Sequence, residues 1–144
     1  GIEPIWSNSY VKDIAKIKTT IKNPFLVDLL EEKGQNTTEV WRSIRDFDGS
    51  VQHLDFLSEH EKDVFKTYPE IDQNVIVYQA ANRQNHIDQG QSINVMVHPD
   101  MPIKDVNNIY ITAWKLGVKS MYYQHSMNAA QKFKQKKSCD SCEG

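Results

Sequence analysis

The chain has 144 residues, 39% of them hydrophobic and 25% charged, which is enough material for one domain with a core of its own. A formal net charge of -2 supplies no global field to attract nucleic acid or a membrane surface, so neither is expected as a partner. No stretch approaches the roughly 20 apolar residues of a membrane span, and Gly1 to Tyr10 lacks the basic start and apolar run of a secretory signal.

The opening Gly1-Ile2-Glu3-Pro4-Ile5-Trp6 is apolar, carries a proline and has no initiator Met, so it reads as the interior of a longer protein. Val11, Ile14, Ile17 and Ile21 are spaced by threes and fours, which predicts a short helix weakened by Thr19-Thr20. Asn23-Pro24 is a helix start, Asn as N-cap and Pro in the first turn. Phe25, Leu26, Leu29 and Leu30 supply its apolar face and Gly34 its stop. A second helix follows Thr38, with Val40, Trp41, Ile44 and Phe47, and Asp48-Gly49 is a turn. Ser58 and Glu61 form a capping box that opens a helix through Val64 and Phe65, ended by Tyr68-Pro69. Asp72 caps the next helix, predicted to be the longest, with Val75, Ile76, Gln79, Ala80, Arg83 and Ile87 at helical spacing.

Beyond Gln89-Gly90-Gln91 the pattern changes. Ile93, Val95 and Val97 alternate as in a strand. After a Pro-rich loop, Val106, Ile109, Tyr110, Ala113 and Trp114 give the clearest helical face in the chain, and Gly117 ends it. Val118 to Tyr123 is apolar and suits a buried strand. Strand, helix and strand over this length predict a βαβ crossover. The fold class is therefore α/β, mainly helical with few strands. So few short strands make no stable sheet alone, and they are expected to complete a sheet belonging to another polypeptide segment.

Two motifs carry chemistry. Tyr122-Tyr123 can be two strand aromatics facing opposite sides, or a stacked phenol pair that relays an electron with its proton. The second use needs ring contact, so the backbone would have to bend at the strand's end. Cys139-Asp140-Ser141-Cys142 is a CxxC with no second pair and no histidine nearby to complete a zinc site, so no metal is expected in this chain. It suits a dithiol cycling to a disulfide, with Lys132, Lys134, Lys136 and Lys137 favouring thiolate, or an incidental pair in a solvated tail. Both cysteines lie too close to the end to staple a core, and a cytoplasmic setting is expected. His53, His60, His86, His98 and His125 form no ligand pair and read as surface or structural. Glu31, Glu32, Glu59 and Glu61 lie on predicted helix surfaces. No glycine-rich phosphate loop and no nucleophile elbow is present.

In combination these segments are more specific. Ile87-Asp88-Gln89-Gly90-Gln91-Ser92-Ile93-Asn94, then Ala113-Trp114-Lys115-Leu116-Gly117-Val118-Lys119, then Met121-Tyr122-Tyr123 and the Cys139-to-Cys142 tail, resemble in order and spacing the end of class I ribonucleotide reductase large (catalytic) subunits. Gly1-Ile2-Glu3-Pro4 resembles the segment following that family's substrate-phosphate loop, so the resemblance covers essentially the whole chain.

The resemblance implies that residues 1–130 complete the family's α/β barrel and that 131–144 form a flexible redox tail. It implies that Tyr122 lies beside a catalytic cysteine and Tyr123 faces a radical-generating small subunit, which would hold a dinuclear metal centre. Cys139 and Cys142 would re-reduce the active-site disulfide and be reduced in turn by thioredoxin or glutaredoxin. The radical-bearing and substrate-reducing cysteines and the phosphate loop have no counterpart here. They are expected N-terminal to Gly1, on a partner segment without which the chain is inactive. The competing expectation is a small helical binding module with a redox-sensitive cysteine tail. A thioredoxin-like protein fits poorly, because that fold places its CxxC at a helix start.

Overall fold

The computed structural model of the protein describes residues 2–14 and 17–126. The chain divides into two compact units, the first ending at Glu70 and the second beginning at Ile71.

The first unit opens with an antiparallel pair, β1 (Ser9–Ile14) and β2 (Ile17–Lys22), in register from Ser9↔Lys22 to Ile14↔Ile17. This corrects the helix expected over Val11 to Ile21. The three-and-four spacing is real, but Val11, Ile14, Ile17, Thr19, Thr20 and Ile21 are all β-branched. Such side chains lose χ1 freedom in a helix and fit the pleated surface of a strand.

The pair is tied to the body by Asn8, which is wholly buried. Its Nδ2 donates to the carbonyls of Gly49 (2.9 Å) and Phe65 (2.8 Å), and its Oδ1 accepts from Asn23 Nδ2 at 2.9 Å. Gly49 is required there. Its φ is +87°, and a Cβ would fall 1.9 Å from Ser7 Oγ and 2.8 Å from the Asn8 nitrogen.

Asn23 also caps α1 (Pro24–Glu32) by accepting from the Phe25 N–H, and Gly34 follows the helix at φ 66°, both as expected. Helix α2 (Thr38–Asp46) is capped by Thr37, one residue before the Thr38 singled out above. Leu26, Leu30, Trp41, Ile44, Val51, Leu54, Leu57 and Phe65 form one buried cluster. Trp41 satisfies its indole N–H on Asn36 Oδ1 at 2.6 Å, and Lys22 Nζ sits 4.5 Å from the ring centroid. The Ser58–Glu61 capping box opens α3 (Glu59–Val64) as expected. Phe65 caps the end of this helix, and Tyr68–Glu70 form a 3-10 turn with Tyr68 buried.

In the second unit Asp72 caps α4 (Gln73–Gln84), with its side chain accepting from the Asn74 N–H. Strand β3 (Val95–Met96) pairs in parallel with β4 (Gln124–His125), and α5 (Ile103–Lys115) connects them, so the expected βαβ crossover is present. Several details differ from expectation, among them that α4 stops at Gln84, short of the Ile87 placed on it above. Helix α5, at 13 residues, is longer than α4 at 12. Ile93, Val95, Met96 and Val97 are all buried, so the strand is covered on both faces, not alternately. Val118 to Tyr123 is not a buried strand; β4 begins one residue later, at Gln124. Val77, Val95, Val97, Ile109 and Ala113 form the core of the unit, with Val106, Tyr110, Val118 and Met121 against it. Buried Gln73 accepts the Met96 N–H at 2.8 Å, which satisfies a strand donor from a helix. Each sheet among the described residues has two strands, and neither closes a barrel. No described helix is long and apolar enough to cross a membrane.

Candidate functional site

The crossover places Tyr122 and Tyr123 at the entrance to β4. The parallel ladder is irregular at this point. In an unbroken parallel pair one residue donates its N–H to a partner carbonyl and accepts, through its own carbonyl, from the N–H two residues further along the partner. Here the two jobs are split. Tyr122 N–H donates to Ile93 O at 2.8 Å, whereas Tyr123 O accepts from Val95 N–H at 3.0 Å. Two tyrosines oppose one residue of the partner strand, a bulge-like interruption that suspends the strict alternation of neighbouring side chains. The bend required for ring contact is therefore present.

Its result is a phenol pair. The ring centroids are 4.0 Å apart with an interplanar angle of 50°, and Tyr122 Oη donates to Tyr123 Oη at 3.1 Å. That hydrogen bond, aided by partial desolvation, holds the Tyr122 phenol above its ordinary pKa. Yet Tyr122 and Tyr123 are 56% and 57% exposed. Two large aromatics left half in solvent are not ordinary core, and their packing does not explain their contact.

The support beneath the pair is polar, and its centre, Gln84, was not singled out from the sequence, although the Asp88–Gln91 segment around it was. Gln84, the last residue of α4 and 7% exposed, makes four hydrogen bonds. Its Nε2 donates to Ile87 O and Gln89 O, both at 2.9 Å, and its Oε1 accepts from Gln91 Nε2 (3.1 Å) and Lys119 N (3.4 Å). Gln91 Nε2 also reaches Ala80 O at 2.8 Å. Ser120 Oγ donates to Gln91 O at 2.9 Å, and Lys119 Nζ to Asp88 O at 2.6 Å. Gly90 is needed for this approach, because a Cβ there would lie 2.4 Å from Ser120 Oγ. The Asp88–Gln91 turn thus grips the two residues that lead into the tyrosines. On the other side Tyr110 Oη of α5 donates to Gln124 Oε1 at 3.1 Å.

His125, read from the sequence as surface or structural, lies edge-on to Tyr123 with centroids 6.0 Å apart. Period-two spacing in a strand was the signal for it, since residues 123 and 125 share a face. The other histidines do not join the pair; His53, for example, stacks on Phe47 at 4.0 Å in the first unit. Among the described residues no group of three or more His, Cys, Asp or Glu side chains is disposed to hold a metal. Cys139 and Cys142, and the tail boundary at residue 131, lie outside the described residues.

Fold and site together define an α/β segment whose parallel crossover presents two contacting phenols at the entrance to its second strand. Residues 1–124 match the family described as "Ribonucleotide reductase, barrel domain", and the chain belongs to that family. It is 44% identical over 127 residues to the ribonucleoside-diphosphate reductase large subunit of Invertebrate iridescent virus 3, a match covering 86% of this chain and 20% of the relative. It is 36% identical to ribonucleoside-diphosphate reductase subunit alpha of Chlamydia trachomatis, covering 90% of this chain and 12% of that protein. Among solved structures, the Actinobacillus ureae class Id ribonucleotide reductase alpha subunit aligns with a TM-score of 0.80 at 54% identity, over 90% of this chain and 23% of the other. The chain thus spans about a fifth or less of the length of these large-subunit relatives. The resemblance read from the sequence and the α/β class that it implied are both borne out.

Proposed function

We propose that this chain serves in reduction of ribonucleoside diphosphates to deoxyribonucleotides, as the part of a large subunit that carries the radical relay and the reducing tail. The observation that carries the relay is the 3.1 Å hydroxyl contact between two half-exposed tyrosines whose tilted rings touch, in a chain of this family. Tyr123 is oxidised from the side of the small subunit and its dinuclear metal centre, losing one electron and its phenolic proton. Tyr122 then gives its hydrogen atom to the Tyr123 oxygen along the existing hydrogen bond, so Tyr123 returns to the phenol and Tyr122 becomes the phenoxyl radical. Tyr122 recovers a hydrogen atom from a cysteine thiol on the N-terminal part of the large subunit, leaving a thiyl radical beside substrate. A hydrogen bond already aimed from Tyr122 to Tyr123 is the arrangement that this inward transfer needs.

Each turnover oxidises a cysteine pair on the N-terminal part to a disulfide. Cys139 and Cys142 reduce it by thiol–disulfide exchange, become a disulfide themselves, and are returned to the dithiol by thioredoxin or glutaredoxin. Residues 1–130 belong to the barrel and 131–144 to the tail, and the assembly works in the cytoplasm.

The test is Tyr122→Phe and Tyr123→Phe in the assembled enzyme, with deoxynucleotide formation as the assay. Phe keeps the ring and removes the hydroxyl. Each variant is expected to assemble normally and lose at least ~100-fold in turnover. Retention of half the activity by either one excludes the relay.

A further inference from the structure

The interruption of the ladder leaves one backbone donor without its regular acceptor. Tyr122 has taken Ile93 O, to which Tyr123 N–H would donate in a regular parallel pair. The displaced N–H is received by a side chain, Asn94 Oδ1, at 3.3 Å. Asn94 lies between the two residues of the partner segment that make the flanking ladder bonds, Ile93 and Val95. We infer that Asn94 is a positioning residue for the tyrosine pair, and that its side-chain carbonyl holds the bulge that brings the two phenols together.

Two registers compete at this point of the ladder. In the bulged one, Tyr122 N–H is on Ile93 O, Tyr123 N–H is on Asn94, and the rings touch at 4.0 Å. In the regular one, Tyr123 N–H moves to Ile93 O and neighbouring side chains turn to opposite faces, as strand geometry dictates. Both registers satisfy the Tyr123 donor, so what separates them is the extra acceptor that only the bulged form uses. The Tyr122 side needs little correction, because Lys119 and Ser120 are already held by Gln84 and Gln91. Asn94 is the side chain that acts directly on the second tyrosine's backbone. Asp carries a carboxylate oxygen that accepts at the same reach as the Asn amide oxygen; Leu has similar bulk and no acceptor.

This inference rests on the relay reading of the pair, and the test separates the two. Asn94→Leu and Asn94→Asp are introduced into the assembled enzyme beside the two Tyr→Phe variants. Turnover is resolved into kcat and KM, and the crystal structure of the Asn94→Leu enzyme gives the ring separation. Expected is a fall in kcat of at least ~10-fold for Asn94→Leu with KM unchanged, recovery of most of that loss in Asn94→Asp, and phenols no longer in contact in the Leu structure. If the Tyr→Phe variants are inactive but Asn94→Leu stays within about twofold of the parent, the relay stands and the positioning role is overturned. If the Tyr→Phe variants remain active, the relay fails and the ring separation decides. Phenols still in contact in Asn94→Leu overturn the positioning role, and parted phenols uphold it as a structural device. Equal loss in Asn94→Leu and Asn94→Asp also overturns it, because the acceptor oxygen would then not be what matters.

Discussion

Replacing Gln84 by Met keeps the length of the side chain and deletes all four of its hydrogen bonds. The damage is unevenly shared. Ile87 O retains Lys119 Nζ at 3.3 Å, and Gln91 Nε2 retains Ala80 O at 2.8 Å, so these two groups keep a partner. The Lys119 N–H and Gln89 O each lose the Gln84 contact. A net hydrogen bond is worth about 0.5–1.5 kcal/mol and a stranded buried polar group costs about 1–3 kcal/mol. For a residue 7% exposed the expected loss is therefore on the order of 2–3 kcal/mol. That cost should appear as local opening, since Gln84 joins the Asp88–Gln91 turn to the segment ahead of the tyrosines. Native-state amide hydrogen exchange on the assembled protein is the assay. Amides of residues 89–91 and 118–121 should exchange about 30- to 150-fold faster, while β1 and β2 in the other unit stay unchanged. Less than a threefold change across 118–121 would refute the claim that this glutamine anchors the approach to the pair.

Gly49→Ala should cost more than about 2 kcal/mol in denaturant unfolding, because it combines φ +87° with a Cβ 1.9 Å from Ser7 Oγ; Gly34→Ala, at φ +66° with nothing within 4 Å, should cost only about 1 kcal/mol. Equal losses would discount the close approach at Asn8. The Glu61 carboxyl, held by the Ser58 backbone N–H, the Lys33 ammonium and the Ser58 hydroxyl, is lowered from 4.5 to about 2. A depressed carboxylate stabilises the fold fully above its unfolded pKa, so its contribution should persist above pH 4.5 and disappear as pH falls through about 2. A carboxyl-carbon NMR titration with a midpoint near 4.5 would contradict this. In the assembled enzyme, Cys139→Ser or Cys142→Ser should spare a single turnover from a pre-reduced active site and abolish repeated turnover with thioredoxin. A small dithiol should restore part of the rate, and thioredoxin-driven turnover surviving loss of both cysteines would exclude the reducing role.

Helix ends were the most legible part of the fold, because capping is local chemistry. Asn23-Pro24, the Ser58–Glu61 box, Asp72 and Gly34 all act where their side chains or backbone freedom predict. The segment from Val11 to Ile21 was misread because its spacing suits a helix while its β-branched side chains suit a strand, and the outcome depends on pairing within the hairpin and on Asn8, a residue whose importance is tertiary. Buried polar side chains share this opacity. Gln73, Gln84 and Asn8 look like surface residues in one dimension and become interior only when distant carbonyls and N–H groups converge on them.

The candidate site divides in the same way. That two adjacent tyrosines can act together only if the strand bends between them follows from side-chain alternation, and a sequence reader can state it. How the bend is made does not follow, since it depends on which carbonyl each N–H finds on a strand nearly thirty residues away. A parallel pair connected by α5 has no hairpin turn to set its register. Register must then come from the two ends of the returning segment. Gln84 and Gln91 fix it before the tyrosines through Lys119 and Ser120, and Tyr110 fixes it after them through Gln124. With both ends pinned, the stretch between them can carry its extra residue at Tyr122–Tyr123, and the Asn94 side chain, accepting the displaced Tyr123 N–H at 3.3 Å, tips the balance to the bulge that sets the two rings side by side.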